Sequence, residues 1–420
     1  MKENFNLEKI KRIVKWFYPG IGIKRWILVS AFGIVLVILG VLNLAEKESL
    51  FISKLLAVIL VFLGLYLLIL GIIRAIRSFI IFFFPELGKR KEFADIIYRR
   101  RQLERGPNMV TIGGGTGLSV LLEGLREYTS NISAVVTVAD DGGSSGRLRR
   151  QFDILPPGDI RNCLVALADA PQLMRKLFQF RFDSPPEFAG HNFGNLFITV
   201  MTQVTGDFDK AIKESSKVLA IRGQVIPSTL NKVILVAEYK DGSVTEGETV
   251  IPEARKPIKH VWLKPQGSNA TQEALQAIRE AVIIVFGPGS LYTSIIPNLL
   301  VKDISDAIAD SDALKVYVCN IMTQPGETDG FTASRHVEVL REHTNSRIID
   351  YCVINTGSIP PELLDRYKQD GAYPVVADIA RIRSMGVRAI ADNVIAVFDN
   401  YIRHDPIKLS GIILGLIEEI

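Results

Sequence analysis

Two long apolar runs stand at the front of the chain. Trp26 to Ala45 is 20 residues without a charge, bounded by Arg25 and Glu46, and Leu55 to Ile73 is 19, bounded by Lys54 and Arg74. A helix rises about 1.5 Å per residue, so each run is long enough to cross a hydrocarbon layer of about 30 Å. A secretory signal would carry a shorter apolar core and a small-residue cleavage site; here a second run follows after only nine residues. The pattern predicts a membrane hairpin with transmembrane helices at 26–45 and 55–73. Ser78 to Phe84 is apolar but too short to span, and Lys89, Arg90, Lys91, Arg99, Arg100 and Arg101 follow it. The segment 74–105 therefore reads as basic and interfacial, lying against anionic lipid.

Beyond Pro107 the pattern changes to short apolar runs alternating with helical periodicity, the signature of a mainly parallel sheet covered by helices. Strands are predicted to end near Val110–Ile112 and to run over Ala134–Ala139, Val282–Phe286, Lys315–Asn320 and Tyr351–Asn355. Helices are predicted at Leu118–Tyr128, Asp159–Asp169, Pro171–Phe180, Asn192–Thr205 and Asp207–Leu219. Between 232 and 264 the order is broken by an antiparallel hairpin, Val233–Tyr239 and Val244–Ile251 about the turn Lys240-Asp241-Gly242, and a strand at His260–Leu263. The expected architecture is α/β: a Rossmann-like, doubly wound sheet at 106–420 with a small β insertion, preceded by a membrane anchor at 1–105.

Charge sharpens this division. Residues 1–25 hold seven Lys and Arg, the turn between the apolar runs two, and residues 74–105 nine. The positive-inside bias places both termini and the globular part in the cytoplasm, as a two-pass protein of the cell membrane. The net charge of +4 also resolves: residues 1–105 carry 18 basic against 8 acidic groups, leaving 31 against 37 in the remainder. An acidic globular part without a basic stripe is a poor nucleic-acid binder, so no nucleic-acid partner is expected. Cys163, Cys319 and Cys352 form no CxxC pair and the five histidines no ligand spacing, which leaves an oxygen-ligated cation such as magnesium as the only metal to consider.

The candidate chemistry lies in loops at strand ends. Gly113-Gly114-Gly115-Thr116-Gly117 falls between a strand and a helix, where free amides and the helix dipole favour an anion. It is neither a Walker A loop nor a strict GxGxxG. After the second strand come Asp140 and Asp141, placed to hold magnesium or a ribose, or merely to cap a helix, then Ser144 and Ser145. Gly142 to Gly146 matches GxSxG by letter, but two neighbouring carboxylates would repel an oxyanion, which argues against a serine hydrolase. A third loop, Gly287-Pro288-Gly289-Ser290, followed by Tyr292, repeats the strand, glycine, helix arrangement. Asp159 and Asn162 in PPGDIRN, Asn192 and Asn195 in HNFGN, and Asn320, Thr323 and Gln324 complete a proposed common rim.

The segments VTIGGGTGLSVLLEGL, TVADDGGSSGRLR, PPGDIRN, GHNFGNL, FGPGSLYTSIIPNLL and CNIMTQPGETDGFTASRHV resemble, in order, the motifs of the YvcK-like gluconeogenesis factor family. That family shares a superfamily with the CofD-like 2-phospho-lactate transferases. The resemblance covers nearly all of 107–420. It implies a Rossmann-like fold and a role in bacterial cell shape and envelope synthesis, linked to carbon metabolism through UDP-sugars such as UDP-N-acetylglucosamine. It implies magnesium at Asp140 and Asp141, a diphosphate held by the loops at Gly113 and Gly287, and UDP-sugar contacts from Tyr367 and Arg403. Partners implied are the UDP-sugar, the bilayer and proteins of envelope synthesis; the oligomeric state stays open, a homo-oligomer included. The membrane hairpin departs from the soluble members, and PPGDIRN resembles the YvcK-like branch, which points to a binding regulator. The alternatives are a magnesium-dependent transferase of a phospho-lactate-type group and a nicotinamide-dependent oxidoreductase.

Overall fold

The computed structural model describes residues 23–45, 51–83, 93–344, 348–398 and 400–418. The chain divides into two compact units, Met1–Arg99 and Arg100–Ile420. Much of the basic flank, including Lys89, Arg90 and Lys91, lies outside the described residues, as does the turn at 46–50.

In the first unit, helices Ile23–Ala45 and Phe51–Phe83 pack against each other along their length. Both are long and apolar enough to cross a membrane. Glycines make the close approach possible: a Cβ on Gly33 would come within 2.7 Å of the Gly64 carbonyl oxygen, and one on Gly64 within 2.8 Å of the Val37 backbone. Ser53 donates to the Asn43 side chain at 2.8 Å at the end of the pair where the two helices are joined in sequence. The helix continues past Arg74, beyond the apolar run 55–73. No glycine or proline interrupts 72–84, and the second helix runs 33 residues to Phe83, just short of Pro85. At about 50 Å it exceeds the hydrocarbon thickness.

The second unit is built on a parallel sheet of seven strands, β1 (Met109–Gly113), β2 (Ile132–Val136), β3 (Gln224–Pro227), β7 (Ile283–Phe286), β8 (Leu314–Val318), β9 (Tyr351–Asn355) and β10 (Arg388–Asp392). β1 and β7 are buried throughout, which is why they read as unbroken apolar runs. The intervening β4 (Ile234–Tyr239), β5 (Val244–Glu246) and β6 (Ile258–Lys264) form the expected antiparallel insertion. The strand expected over Val244–Ile251 stops at Glu246, and a short helix takes Val250–Glu253. Two further strands, β11 (Ile395–Phe398) and β12 (Tyr401–His404), make a separate hairpin.

Strand order is β10-β9-β8-β7-β1-β2-β3. From β1 the chain moves outward to β2 and β3, then returns to the other side of β1 at β7 and proceeds outward again. The direction reverses between β1 and β7, and the crevice past their carboxyl ends is where such sheets bind ligands.

Candidate functional site

The two glycine loops open at that reversal and touch each other. A Cβ on Gly117 would press on the Pro288 backbone, 2.7 Å from its carbonyl carbon and 3.1 Å from the Gly289 nitrogen. Glycine is therefore required by the packing of loop on loop. Asn320, just beyond β8, clamps the second loop: its Nδ2 donates to the Gly289 oxygen at 2.7 Å and its Oδ1 accepts from the Gly289 nitrogen at 3.0 Å. Both ends of this amide are thus engaged with the loop.

A cavity of about 420 Å³ lies over the junction. Among the residues named from the sequence, it brings together Gly114, Gly115, Thr116, Gly117, Asp140, Asp159, Gly289, Ser290, Asn320, Gln324, Tyr367 and Arg403. Tyr367 and Arg403 come from the far end of the chain, on the helix Pro361–Gln369 and on β12.

Other expected residues take structural places. Gly113 closes β1, and Gly287 stands close against Leu118. Asn192 caps the helix Phe193–Thr205, accepting from the Gly194 and Asn195 amides. The buried Ser144 hydroxyl meets His191 Nδ1 at 3.1 Å. Asn195 reaches Ser145 at 3.4 Å, Asn162 accepts from Arg161, and Tyr292 packs edge-on against Phe331 and His343. Thr323 is tied to Tyr373 by its backbone and its hydroxyl.

The acidic pair does not face one crevice. Asp140 lines the cavity, its Oδ1 accepting the Gly142 amide at 2.9 Å. Asp141 instead accepts from the Thr249 nitrogen at 3.0 Å and the Thr249 hydroxyl at 2.8 Å, which fastens the β insertion to the loop.

Asp159 takes the place expected of Asp141. Desolvation in the recess, with the Asp140 charge adding to it, pushes its carboxyl up to about 7, although the Gly115 amide donates to it. Glu248, absent from the sequence reading, also lines the cavity, and desolvation followed by repulsion from Asp140 and Asp159 raises it to about 8. No local motif marks Glu248; only the folding of the β insertion over the rim brings it there. Behind the wall, buried Glu327 accepts from Thr293 Oγ1 at 3.1 Å and from Gln324 Nε2 at 2.7 Å, while Gln324 accepts from Ser290 at 2.6 Å. His404, held down to about 4 by burial, lies 3.2 Å through Nε2 from the Cys319 carbonyl and is neutral. Arg403 is the one guanidinium lining the cavity, and its side chain has no hydrogen bond or ion pair among the described residues.

A family model for 2-phospho-L-lactate transferase CofD matches residues 109–395, from β1 to the start of β11. The chain belongs to the CofD family. It is 45% identical over 427 residues to the putative gluconeogenesis factor of a Nostoc species, an alignment covering 97% of this chain and 93% of that one. It is 47% identical over 313 residues to the gluconeogenesis factor of Bacillus subtilis, covering 74% of this chain and 99% of that one. A crystal structure of a Bacillus halodurans protein superimposes with a TM-score of 0.72 at 48% identity, covering 74% of this chain and all of that one. The gluconeogenesis factor resemblance thus holds. The Nostoc alignment takes in most of the front segment, whereas the Bacillus relatives match about the CofD-like unit alone.

Proposed function

We propose that this CofD family member is a UDP-sugar-binding regulator of cell shape and envelope synthesis, linked to carbon metabolism and tethered to the cell membrane by its N-terminal hairpin, with both termini and the CofD-like unit cytoplasmic. One observation carries the ligand class: the cavity at the strand reversal is lined both by the two glycine loops and by an aromatic ring and an unpaired guanidinium, Tyr367 and Arg403. Glycine amides and Arg403 suit a diphosphate, and the Tyr367 ring suits a base. The gluconeogenesis factor relatives support the link to carbon metabolism, and the two apolar helices support the tether.

The carboxylates shape how such a ligand binds. Asp140, Asp159 and Glu248 would repel a diphosphate unless neutralised by protons or a cation. Among the described residues no three acidic, histidine or cysteine groups gather closely enough to hold a metal alone. Asp140 and Asp159 fit magnesium bound jointly by protein oxygens, phosphate oxygens and water, and Asp141 does not. Bound there, the cation would supply charge neutralisation.

The same pair favours the second reading, transfer of a phospho-lactate-type group from a nucleotide diphosphate donor, in keeping with the family model. Calorimetry on the full chain in nanodiscs, with UDP-N-acetylglucosamine with and without magnesium, tests the first. Saturable binding without turnover supports the regulator. Absence of binding, or product formation from a nucleotide-activated lactate, would displace it.

A further inference from the structure

The two edges of the parallel sheet differ in character. β3 ends in Pro227, which has no amide hydrogen to offer an added strand. β10, Arg388-Ala389-Ile390-Ala391-Asp392, pairs with β9 on one side only. The Arg388 nitrogen donates to the Asp350 oxygen and the Asp392 oxygen accepts from the Thr356 nitrogen, both at 2.9 Å, so residues 388, 390 and 392 turn their backbone groups toward β9. The N–H and C=O of Ala389 and Ala391 therefore face the open side. No backbone hydrogen bond ties them to a loop or turn among the described residues, and Arg388, Ala391 and Asp392 are exposed. Exposed edges are commonly blunted by charge or covered. Here the two charges have opposite sign and sit symmetrically about Ile390.

We propose that β10 pairs antiparallel with β10 of a second copy of this chain, about a two-fold axis at Ile390, joining the two sheets edge to edge. In that register Ala389 of each copy lies opposite Ala391 of the other, which gives hydrogen-bonded pairs from the residues whose groups face outward. It also sets each Arg388 against the other copy's Asp392, and it is the antiparallel register that gives both charges an opposite partner. Parallel pairing would align like with like. The surface is self-complementary, as an isologous contact requires. Arg388 is partly held from its own side: Nη1 donates to the Tyr351 hydroxyl at 2.7 Å and the guanidinium lies 5.5 Å over the Tyr351 ring. Its remaining N–H groups are left for a carboxylate. Asp392 Oδ1 takes the Asn393 amide at 2.6 Å, and Oδ2 remains. A contact this short gives a concentration-dependent dimer.

Cysteine cross-linking and charge exchange on the full chain in detergent micelles test the proposal. Ile390→Cys, at the axis, is expected to form a disulfide-linked dimer on mild oxidation, and Val244→Cys, exposed on the β insertion, is not; the three native cysteines are buried. Arg388→Asp and Asp392→Arg should each weaken dimerisation by about tenfold, since each creates two like-charge pairs, and the double exchange should restore it to within about threefold. The melting temperature of each variant reports folding. Absence of the Ile390→Cys cross-link overturns the proposal. So does a dimer insensitive to all three exchanges, which would place the contact in the hairpin, or a well-folded double variant as weak as the singles. Should a charge variant fail to fold, the cross-link with native charges decides alone.

Discussion

The phenol oxygen of Tyr367 accepts the backbone amide of Ile402 at 2.9 Å, tying the helix Pro361–Gln369 to β12 one residue before Arg403. Arg366 adds a second tie, donating to the Tyr401 hydroxyl at 3.2 Å with its guanidinium 4.8 Å over that ring. No residue of the helix is fully buried, so its placement leans on these links. Tyr367→Phe removes the link and keeps the ring; Tyr367→Ala removes both. If the ring stacks on a base, titration with UDP-N-acetylglucosamine should show binding weakened by about threefold in the first variant and by more than about tenfold in the second. Unchanged affinity in Tyr367→Ala would take the ring out of the site.

Arg403 sits half-buried at the rim with its charge unused by its neighbours. Arg403→Ala should therefore leave the melting temperature nearly unchanged, within the effect of about 0.5 kcal/mol typical of such positions. A charge-assisted contact to a diphosphate would be lost, and affinity should fall by roughly 10- to 100-fold. Arg403→Lys keeps the charge without the planar fork and should recover part of it. The comparison is made by calorimetry at one salt concentration.

How far these residues could be read in advance depended on whether a local pattern carried them. The buried strands β1, β7, β8 and β9 and the helix Phe193–Thr205 announce themselves by apolar runs and an Asn cap, and the structure has them. The helix Gly143–Phe152 was hidden because glycine and serine fill its first turn and arginine its last, leaving little apolar periodicity. β3, β10 and the β11–β12 hairpin are short, and the last is largely exposed, so neighbours rather than sequence decide them. In the site, glycine loops are legible from composition. The divergence of Asp140 from Asp141 depends on Thr249, more than a hundred residues away, and the arrival of Glu248 depends on how the insertion folds back.

The contact between the glycine loops yields a test that separates packing from ligand chemistry. A methyl group at Gly117 would run into the Pro288 and Gly289 backbone, which cannot swing aside as a side chain could. Gly117→Ala should lower stability by about 1–3 kcal/mol through overpacking and also widen the loop junction. Gly411→Ala serves as the contrast: that position is exposed, lies in the helix Pro406–Glu418 and has nothing within 4 Å of an added Cβ. It should raise stability slightly, by about 0.5–1 kcal/mol, and leave UDP-sugar affinity alone. Denaturant titration and calorimetry on both variants check the pair.

The carboxylates around the cavity make stability depend on pH in a defined direction. Asp159 at about 7 and Glu248 at about 8 stand above their ordinary values of 3.8 and 4.5, chiefly through desolvation, then through the Asp140 charge on both and the Asp159 charge on Glu248. A raised acid binds its proton more tightly in the folded state, so its stabilising effect is full below the ordinary value and is lost as pH climbs through the folded one. Melting temperature should therefore fall between about pH 6.5 and about pH 8 and then level. His336 and His404, held to about 4 by burial, act oppositely below their ordinary 6.5, so the difference between Glu248→Gln and the native chain is the cleaner quantity. That variant should lose the upper part of the decline, between about pH 7 and 8. A cation between Asp140 and Asp159 relieves the same repulsion, so magnesium should raise the native melting temperature more at about pH 8.5 than at about pH 6, where protons already occupy these sites. A melting curve at the higher pH that ignores millimolar magnesium would leave proton uptake as the only neutralising route for a bound diphosphate.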